Sequence, residues 1–432
     1  MNFKETEIGL IPCEWEYKSI GDCLYIKGRI GWKGLKKSEY LKKSNYRIIN
    51  GSALNGKDIE WDKCGYISEE RYNESPEIML EKNDIVMTKD GTIGKVAIID
   101  KLEYKTTVAS GLFVIRVLNN SIDYKYLYYY FTSKYFSNLV KTRIEGSVIP
   151  HLYQKDLVEL NIPLPQLNEQ KAISKILSDL DKKIETNNKI NKKLEEMAQA
   201  IFKQWFVDFE FPNEDGKPYK SSGGEMVESE LGMIPKYWGV DLLSNLVKEV
   251  ITGKTPSTKK SENYGDKYPF VTIPDMHNKV FVTKTERYLS EDGHKLQEKK
   301  LIPKNSIMVS CIATVGLVSI SSEAVHTNQQ INSIIPNSIE EVFYFYEYLK
   351  LMEDRLKGIG SSGSATLNVN KGEFEKIKYI YPDSRIINKY NNTVKNIYEK
   401  IKLNEIENNR LAQLRDTLLP KLMSGEIRVP ID

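Results

Sequence analysis

Two long stretches of the chain place hydrophobic residues at heptad spacing, and each stretch predicts a long helix. The first runs from about Asn168 to Phe206, and the second from about Arg385 to Met423. Neither stretch contains glycine or proline before Pro420. Helices that continue beyond about 25 residues without a break are typical of coiled coils or helical spacers. We therefore expect each helix to turn its apolar seam towards a partner helix.

Both seams are apolar at their ends and carry two asparagines at their centres. These are Asn187 and Asn191 in the first helix, and Asn404 and Asn408 in the second. A polar residue in a seam costs stability but fixes the register and orientation of the helices. In an antiparallel pair that crosses at the centres, Asn187 would meet Asn408 and Asn191 would meet Asn404. Chance placement in an asparagine-rich sequence is the alternative. Arg415 interrupts the second apolar seam.

Shorter apolar runs bounded by turn residues occupy the rest of the chain, and they predict strands. Examples are "NYRIING", "GLFVIRVL", "YPFVTIP" and "NSIMVSCI". Helical patches such as "YKYLYYYFTSKYFSNLV" lie among them. The mixture predicts globular units of the α+β class.

The chain repeats itself in order. "EIGLIPCEW" from Glu7 returns as "ELGMIPKYW" from Glu230, at an offset of 223. "NDIVMTKDGTIGKVAI" from Asn83 matches "NSIMVSCIATVGLVSI" from Asn305 at 222, and "GSVIPHLYQKDLVELNIPLP" matches "GSATLNVNKGEFEKIKYIYP" at 217. A long helix follows each copy. The sequence therefore predicts two copies of one globular unit, each followed by a helix.

This organisation predicts five segments. They are a first globular unit at 1–165, its helix at 166–210, a linker at 211–228, a second globular unit at 229–383, and a second helix with a tail at 384–432. The linker is rich in glycine, serine, proline and charge, so we expect it to be exposed and flexible.

Charge is distributed unevenly along the chain. The 62 basic and 59 acidic residues nearly balance, so the net charge of +3 says little about partners. Between Lys27 and Arg47, however, eight basic residues face one acidic residue, Glu39. Such segregation can make one face positive while the whole stays near neutral. A lysine-rich solvated loop is the alternative interpretation.

The four cysteines form no CxxC pair and no zinc spacing, which is typical of free thiols in a reducing compartment. The chain begins without the pattern of a signal peptide. No apolar run approaches the ~20 residues that span a bilayer. We expect a cytoplasmic protein with no membrane partner.

Motifs for catalysis are weak. The segment "GSALNGKD" from Gly51 to Asp58 has the spacing of a phosphate-binding loop, but Asp58 replaces the hydroxyl residue that should follow Lys57. A turn between strands is the preferred interpretation. The four histidines are scattered, so no metal site is expected. A loose nuclease-like pattern from Pro274 lacks the acidic-x-Lys element, and no methyltransferase motif is present.

Several stretches resemble the specificity subunit of Type I restriction-modification systems. They are the paired "GLIPCEW" and "GMIPKYW", "TKDGTIGKVAI", "PLPQLNEQKAISKIL", "AQAIFKQWFVDFEFP", "ITGKTPSTKKSENYG" and "LLPKLMSGEI". The resemblance covers the whole chain in order. One departure is "YIYPDSRIINKY" at Tyr379–Tyr390, where the family has a "PLPEQ"-like start to the helix, so the beginning of the second helix is less well defined.

The resemblance implies that each globular unit is a target recognition domain and that the helices form an antiparallel coiled coil. It implies a non-catalytic subunit that reads half of a bipartite site in double-stranded DNA with each domain, while the coiled coil fixes the gap between the halves. It also implies two modification subunits, which bind S-adenosylmethionine and methylate adenine, and two restriction subunits, which use ATP and Mg²⁺. No cofactor is expected in this chain.

Candidate DNA contacts follow from side-chain chemistry, because Lys and Arg neutralise phosphates whereas Asn, Gln, Ser, Thr and Arg read base edges. In the first domain they are Lys27, Arg29, Lys33, Lys36, Lys37, Lys57, Lys89, Thr92, Lys95 and Arg143. In the second they are Lys254, Thr255, Ser257, Lys259, Lys260, His277, Ser361, Ser362 and Ser364. Two other functional classes remain open: an enzyme, either a nucleoside-triphosphatase using Lys57 or a nuclease, and a coiled-coil scaffold without DNA contact.

Overall fold

The chain forms two compact units. The computed structural model describes residues 2–30, 35–143, 150–361 and 367–430. One unit comprises Met1–Lys182 with Leu411–Asp432, and the other comprises Lys183–Arg410. The boundary between the two units falls inside both long helices. The sequence prediction instead assigned each helix to a segment of its own.

The first unit contains thirteen strands within its described residues. They are β1 (Phe3–Thr6), β2 (Gly9–Pro12), β3 (Glu16–Ser19), β4 (Leu24–Gly28), β5 (Tyr46–Ile49), β6 (Leu54–Asn55), β7 (Asp58–Ile59), β8 (Gly65–Ile67), β9 (Ile85–Thr88), β10 (Val96–Ile98), β11 (Lys105–Val108), β12 (Leu112–Val117) and β13 (Asn161–Leu164). Its helices are α1 (Ile20–Cys23), α2 (Glu69–Asn73), α3 (Tyr124–Thr132), α4 (Lys134–Lys141), α5 (Gln154–Val158) and the first part of α6 (Leu167–Phe202).

An antiparallel sheet in the order β10–β9–β12–β4 forms the centre of the first unit. A second sheet has the order β11–β5–β8, with β11 parallel to β5. The hairpins β1–β2 and β6–β7 and the pair β3–β13 complete the strands. Both faces of the central sheet are covered, because alternating strand residues enter two different apolar clusters.

The second unit repeats this plan. Its strands are β14 (Met226–Ser229), β15 (Gly232–Pro235), β16 (Gly239–Leu242), β17 (Glu249–Thr252), β18 (Tyr264–Val271), β19 (Phe281–Val282), β20 (Arg287–Leu289), β21 (Ile307–Ser310), β22 (Val318–Ser321), β23 (His326–Thr327), β24 (Ile331–Ile335) and β25 (Lys378–Tyr381). Its helices are α7 (Leu243–Leu246), α8 (Ile273–Met276), α9 (Glu291–Lys295), α10 (Val342–Leu351), α11 (Glu353–Gly360), α12 (Lys371–Glu375) and most of α13 (Ser384–Met423).

The two larger sheets of one unit correspond in strand order to those of the other. The central sheet of the second unit has the order β17–β24–β21–β22–β19, which is the first unit's order with β19 added at one edge. The smaller sheet β20–β18–β23 again contains one parallel pair. The α+β fold class and the internal repeat predicted from the sequence are confirmed.

Individual hydrogen bonds also repeat. The amide of Asn83 donates to the carbonyl of Ile99 at 2.8 Å, and the amide of Asn305 donates to that of Ser321 at 2.9 Å. Both asparagines have positive φ (72° and 68°), a conformation that Asn tolerates better than most residues. The two copies therefore share turn geometry as well as topology.

The long helices have nearly the predicted bounds. A π-helical turn, Lys203–Val207, extends α6 beyond Phe202, and α13 runs through Pro420. The starts of the two helices differ at one equivalent position. Gln170 near the start of α6 donates to the carbonyls of Ser121 and Pro165, whereas Ile387, at the equivalent position of α13, is buried in the core.

The prediction that the linker is exposed is wrong for its aromatic residues. Phe211 is buried and stacks on Tyr219 and on Trp238, with ring centroids 4.6 and 5.0 Å apart. The amide of Tyr219 donates to the carbonyl of Phe211 at 2.9 Å. Aromatic burial outweighs the turn-rich composition, so this segment folds onto the second unit. In the described part of the chain, no helix combines the length and apolar character that crossing a membrane requires.

Candidate nucleic-acid interface

The turn between β9 and β10 carries three of the candidate residues. The hydroxyl of Thr88, at the end of β9, donates to the carbonyl of Thr92 at 2.5 Å and accepts from the amide of Lys95 at 2.9 Å. Thr92 and Lys95 are exposed, whereas Lys89 is half-buried. A hydroxyl thus fixes the turn and leaves two polar side chains at the surface.

The second unit builds the same turn with other residues. Ser310 takes the place of Thr88, and its hydroxyl accepts from the amide of Leu317 at 2.8 Å. Gly94 and Gly316 both have positive φ, at 84° and 99°, and both donate to the carbonyl of the hydroxyl residue at 3.0 Å. The scaffold is constant, while the side chains that it displays differ.

Lys89 lies partly within the first unit. Its ammonium is 5.2 Å from the centroid of the Phe113 ring. Burial lowers the pKa of Lys89 below its ordinary value. This lysine offers less surface to a phosphate than Lys95 does.

The prediction that Arg29 contacts DNA from the protein surface is wrong. Only 2% of it is exposed, and it donates to the carbonyl of Val108 at 3.1 Å and to the hydroxyls of Ser75 and Thr107. Burial lowers the pKa of Arg29 below its ordinary value. The guanidinium joins strands of the first unit, so we withdraw it from the candidate DNA contacts.

The segment 27–47 therefore offers fewer exposed cations to DNA than its sequence indicates. Arg47 is also buried, and it donates to the carbonyl of Cys64 at 3.1 Å and lies over the ring of Tyr66. Lys36 and Lys37 are exposed, and Lys27 is half-buried. Lys33 lies outside the described residues.

The loop around Lys57 is a β-hairpin. Strands β6 and β7 pair antiparallel, with Leu54 opposite Ile59 and Asn55 opposite Asp58. Gly56 and Lys57 are therefore a two-residue turn. A phosphate-binding loop of the Walker type leads into a helix, whose N-terminal amides hold the phosphates. A strand follows here instead, so the geometry supports the turn interpretation over a nucleotide site. Arg143 is half-buried just after α4.

The candidates of the second unit lie in three places. Lys254, Ser257, Lys259 and Lys260 are exposed and Thr255 half-buried in the segment between β17 and β18. His277 is exposed directly after α8, and Ser361 is exposed directly after α11. Thr255 donates to the side-chain oxygen of Gln329. Ser362 and Ser364 lie outside the described residues. Contact of these residues with DNA stays a prediction.

Sequence reasoning missed one polar pair beside the β9–β10 turn. A ring nitrogen of His151 contacts the carboxylate of Asp90, and the two residues also form an isolated β-bridge. In the second unit the equivalent bridge joins Ile312 to Asn368. The repeat offsets of 222 and 217 align these two pairs, but they do not indicate that Asp90 lies close to His151, so the sequence carries no direct signal of this contact.

The central asparagines of the long helices meet within the second unit. The amide of Asn187 donates to the side-chain oxygen of Asn408 at 2.9 Å, and the amide of Asn404 donates to that of Asn191 at 2.7 Å. Numbers that rise along one helix and fall along the other mean that these segments run antiparallel. All four residues are buried.

Arg415, the residue that interrupts the second seam, has a partner within the first unit. Its guanidinium donates to the carboxylate of Asp181 at 2.7 Å. The same carboxylate accepts a hydrogen bond of 2.7 Å from the hydroxyl of Tyr129. An ion pair therefore replaces the apolar contact expected at this position.

No group of three or more metal-ligating side chains occurs among residues 2–30, 35–143, 150–361 and 367–430. The molecule is a duplicated scaffold with different polar loops on each copy.

Sequence comparison decides the family. Residues 12–196 and 236–414 each match the family described as "Type I restriction modification DNA specificity domain". The chain belongs to this family. It is a specificity subunit of a Type I restriction-modification system, the non-catalytic DNA-recognition component of such complexes.

Specificity subunits of two organisms illustrate the similarity. The HindI specificity subunit of Haemophilus influenzae is 39% identical over 347 residues, which cover 68% of this chain and 75% of that protein. The MjaIX specificity subunit of Methanocaldococcus jannaschii is 30% identical over 450 residues, covering 99% and 96%. The crystal structure of the M. genitalium S subunit shares the fold, with a TM-score of 0.55 at 20% identity and coverage of 95% and 96%.

Proposed function

We propose that this specificity subunit recognises a bipartite site in double-stranded DNA, with each unit reading one half. The carrying observation is the duplicated β-hairpin turn, β9–β10 and β21–β22, with the same hydrogen bonds and different exposed side chains. A constant scaffold with variable loops suits one mode of DNA docking with two sequence preferences. The two halves of the site are expected to differ in sequence.

The first unit offers both kinds of contact for this task. Lys36, Lys37 and Lys95 are exposed cations suited to phosphates, and Thr92 is an exposed hydroxyl suited to a base edge. In the second unit Lys254, Lys259 and Lys260 supply the charge, and Ser257 supplies the hydroxyl. Each set lies on loops that are anchored by strands.

We propose further that the subunit docks two modification subunits, which bind S-adenosylmethionine and methylate adenine, and two restriction subunits, which use ATP and Mg²⁺. The cofactors belong to these partners in the proposal, and this chain contributes DNA recognition and assembly. The membership of the family supports this division of labour. Because the proposed complex acts on chromosomal and incoming DNA, we expect it in the cytoplasm.

The test is reconstitution of the chain with a modification subunit and S-adenosylmethionine, followed by mapping of methylated adenines. A gapped motif with two different halves is expected. The double variant Thr92→Ala, Lys95→Ala should alter or relax the first half alone. A second double variant, Ser257→Ala, Lys259→Ala, in the segment between β17 and β18 of the second unit should alter the second half alone.

Two results would contradict the proposal. One is methyl transfer, DNA cleavage or nucleotide hydrolysis by the purified chain without partners. The other is a change in both halves of the motif when only one unit carries substitutions.

A further inference from the structure

We infer that the hairpins β1–β2 and β14–β15 are equivalent docking points, each taking one modification subunit. Each hairpin fits a protein segment that presents an apolar side chain flanked by Lys or Arg. This inference rests on the proposed function, because that function supplies a partner present in two copies. It adds the surface that the partner contacts and the chemistry of the contact.

The two hairpins are built alike. Phe3–Thr6 pairs with Gly9–Pro12 and Met226–Ser229 pairs with Gly232–Pro235 in the same register. Each turn is closed by a hydroxyl that donates to the carbonyl of the turn glycine, at 2.7 Å in the first hairpin and 2.6 Å in the second. Both turn glycines have positive φ, at 100° and 96°. The sequence thus conserves the hairpin between the two halves of one chain.

The two hairpins each expose a large apolar residue at the equivalent position of the second strand. Leu10 is 60% exposed and Met233 is 52% exposed. In both hairpins the next two residues, an isoleucine and a proline, are buried. Neither hairpin pairs with a further strand within the described residues. A single exposed apolar residue needs no explanation, but its repetition at the equivalent position of both copies indicates a shared use.

A carboxylate lies opposite each of the two apolar residues across its hairpin. Glu5 lies directly opposite Leu10 across the strands, and Glu228 lies directly opposite Met233. Both glutamates are exposed, and neither forms an ion pair within the described part of the chain. A second pair of equivalent acids, Glu7 and Glu230, lies two positions further along each chain segment, with Glu230 bound to Lys378.

This charge decides the class of occupant. Acidic side chains beside the apolar residue repel DNA phosphates, so the hairpins do not serve as DNA contacts. They attract a basic segment of a protein, because complementary charge guides association and orients the partner. One surface that occurs twice in a chain suits two copies of one partner. A hairpin is also too small for a stable interface of ~1,600 Å², so it acts as one part of a larger contact.

The experiment uses the full chain and the purified modification subunit, with native mass spectrometry to count bound subunits. The wild type is expected to bind two. Leu10→Asp and Met233→Asp should each weaken one docking point by at least about tenfold, so that a titration shows one subunit bound with the wild-type Kd and the second bound more weakly. In the double variant both subunits should bind at least about tenfold more weakly than in the wild type.

Charge reversal and a matched control complete the design. Glu5→Lys with Glu228→Lys should also weaken binding, because it makes both hairpins basic. Leu296→Asp replaces an equally exposed leucine, 57% accessible, outside the hairpins and should still bind two subunits. Circular dichroism of each variant should match the wild type, since the substituted side chains are exposed.

The possible failures are distinguishable. If the wild type and the double variant bind two subunits with equal affinity, the hairpins are not docking points, while the proposed function stands. If the wild type binds no modification subunit, the proposed function and this inference both fail. If the wild type dimerises and the double variant does not, the hairpins join copies of this chain, and the inference is overturned.

Discussion

The indole nitrogen of Trp15 donates a hydrogen bond of 3.1 Å to the carboxylate of Glu169, 154 positions later in the chain. Glu169 is buried and also accepts two hydrogen bonds from Arg428, at 2.6 and 2.9 Å. Arg428 in turn contacts Glu14 and lies over the ring of Trp15. One buried carboxylate therefore joins the N-terminal segment, the start of α6 and the C-terminal tail within the first unit.

We expect Arg428→Ala to loosen the first unit. The substitution leaves Glu169 with the Trp15 hydrogen bond alone, and an under-satisfied buried charge costs about 2 kcal/mol. The local effect should appear as faster hydrogen exchange of the Trp15 amide, which bonds to the carbonyl of Pro12. The control is Arg385→Ala, which removes an exposed ion pair with Asp383 and should leave the stability nearly unchanged. Unchanged exchange at Trp15 in the Arg428 variant would refute this role.

The asparagine contacts predict a clear double-mutant cycle. Asn191→Leu leaves the buried amide of Asn404 without its acceptor, so it should destabilise the protein by about 1–3 kcal/mol. The double variant Asn191→Leu, Asn404→Leu removes both polar groups and should be close to neutral or stabilising. Urea unfolding of the two single variants and the double variant measures the coupling. Additive losses would mean that the two side chains do not depend on each other.

Most of the fold could be predicted from the sequence because the sequence contains an internal repeat. Three offsets predicted two equivalent units, and the matched strands and turn hydrogen bonds agree with them. The ends of both long helices could be located because heptad spacing and the lack of glycine are local features. The burial of Arg29 could not, since its acceptors lie 46 to 79 positions away and come together only in the folded unit.

Prediction of the candidate site from the sequence has the same limit. Composition identifies Lys36, Lys37 and Lys95 as cations, and they are exposed as a surface contact requires. It cannot separate them from Arg29, because a charged side chain is buried only where several acceptors converge. The contact between Asp90 and His151 spans 61 positions and depends on a β-bridge that no local pattern displays.

Salt dependence separates phosphate contacts from solvated lysines. If Lys36 and Lys37 both neutralise phosphates, replacing them with Ala should lower the log–log salt slope of DNA binding by roughly 1.8, or about 0.9 for each contact. Affinity should fall on all DNA sequences alike, because phosphates carry no sequence information. Lys175→Ala with Lys193→Ala removes two exposed lysines of α6 that pair with acidic neighbours, and should leave the slope unchanged. An unchanged slope in the Lys36, Lys37 variant would assign these residues to the solvated surface.

Two buried glutamates make the stability of the second unit depend on pH. Burial raises the pKa of Glu347 to about 7, although the hydrogen bond from the hydroxyl of Tyr398 opposes the shift. Burial raises the pKa of Glu405 to about 7 as well. Between about pH 4.5 and 7 the folded chain keeps these protons while the unfolded chain releases them. Stability therefore falls as pH rises through this window and levels off above it.

Glu347→Gln tests this dependence, because glutamine still accepts from Tyr398 but cannot ionise. The wild type should lose on the order of 3 kcal/mol more than the variant between pH 5 and pH 8, as followed by urea unfolding. Glu405 is unsuited to the same substitution, since its two oxygens accept from the amides of Val280 and Phe281, at 2.9 Å each, and a glutamine NH₂ would face one of those donors. Glu399→Gln, on the exposed face of α13, should follow the wild-type pH curve. Parallel curves for the wild type and Glu347→Gln would show that Glu347 ionises in the folded chain as it does in the unfolded chain.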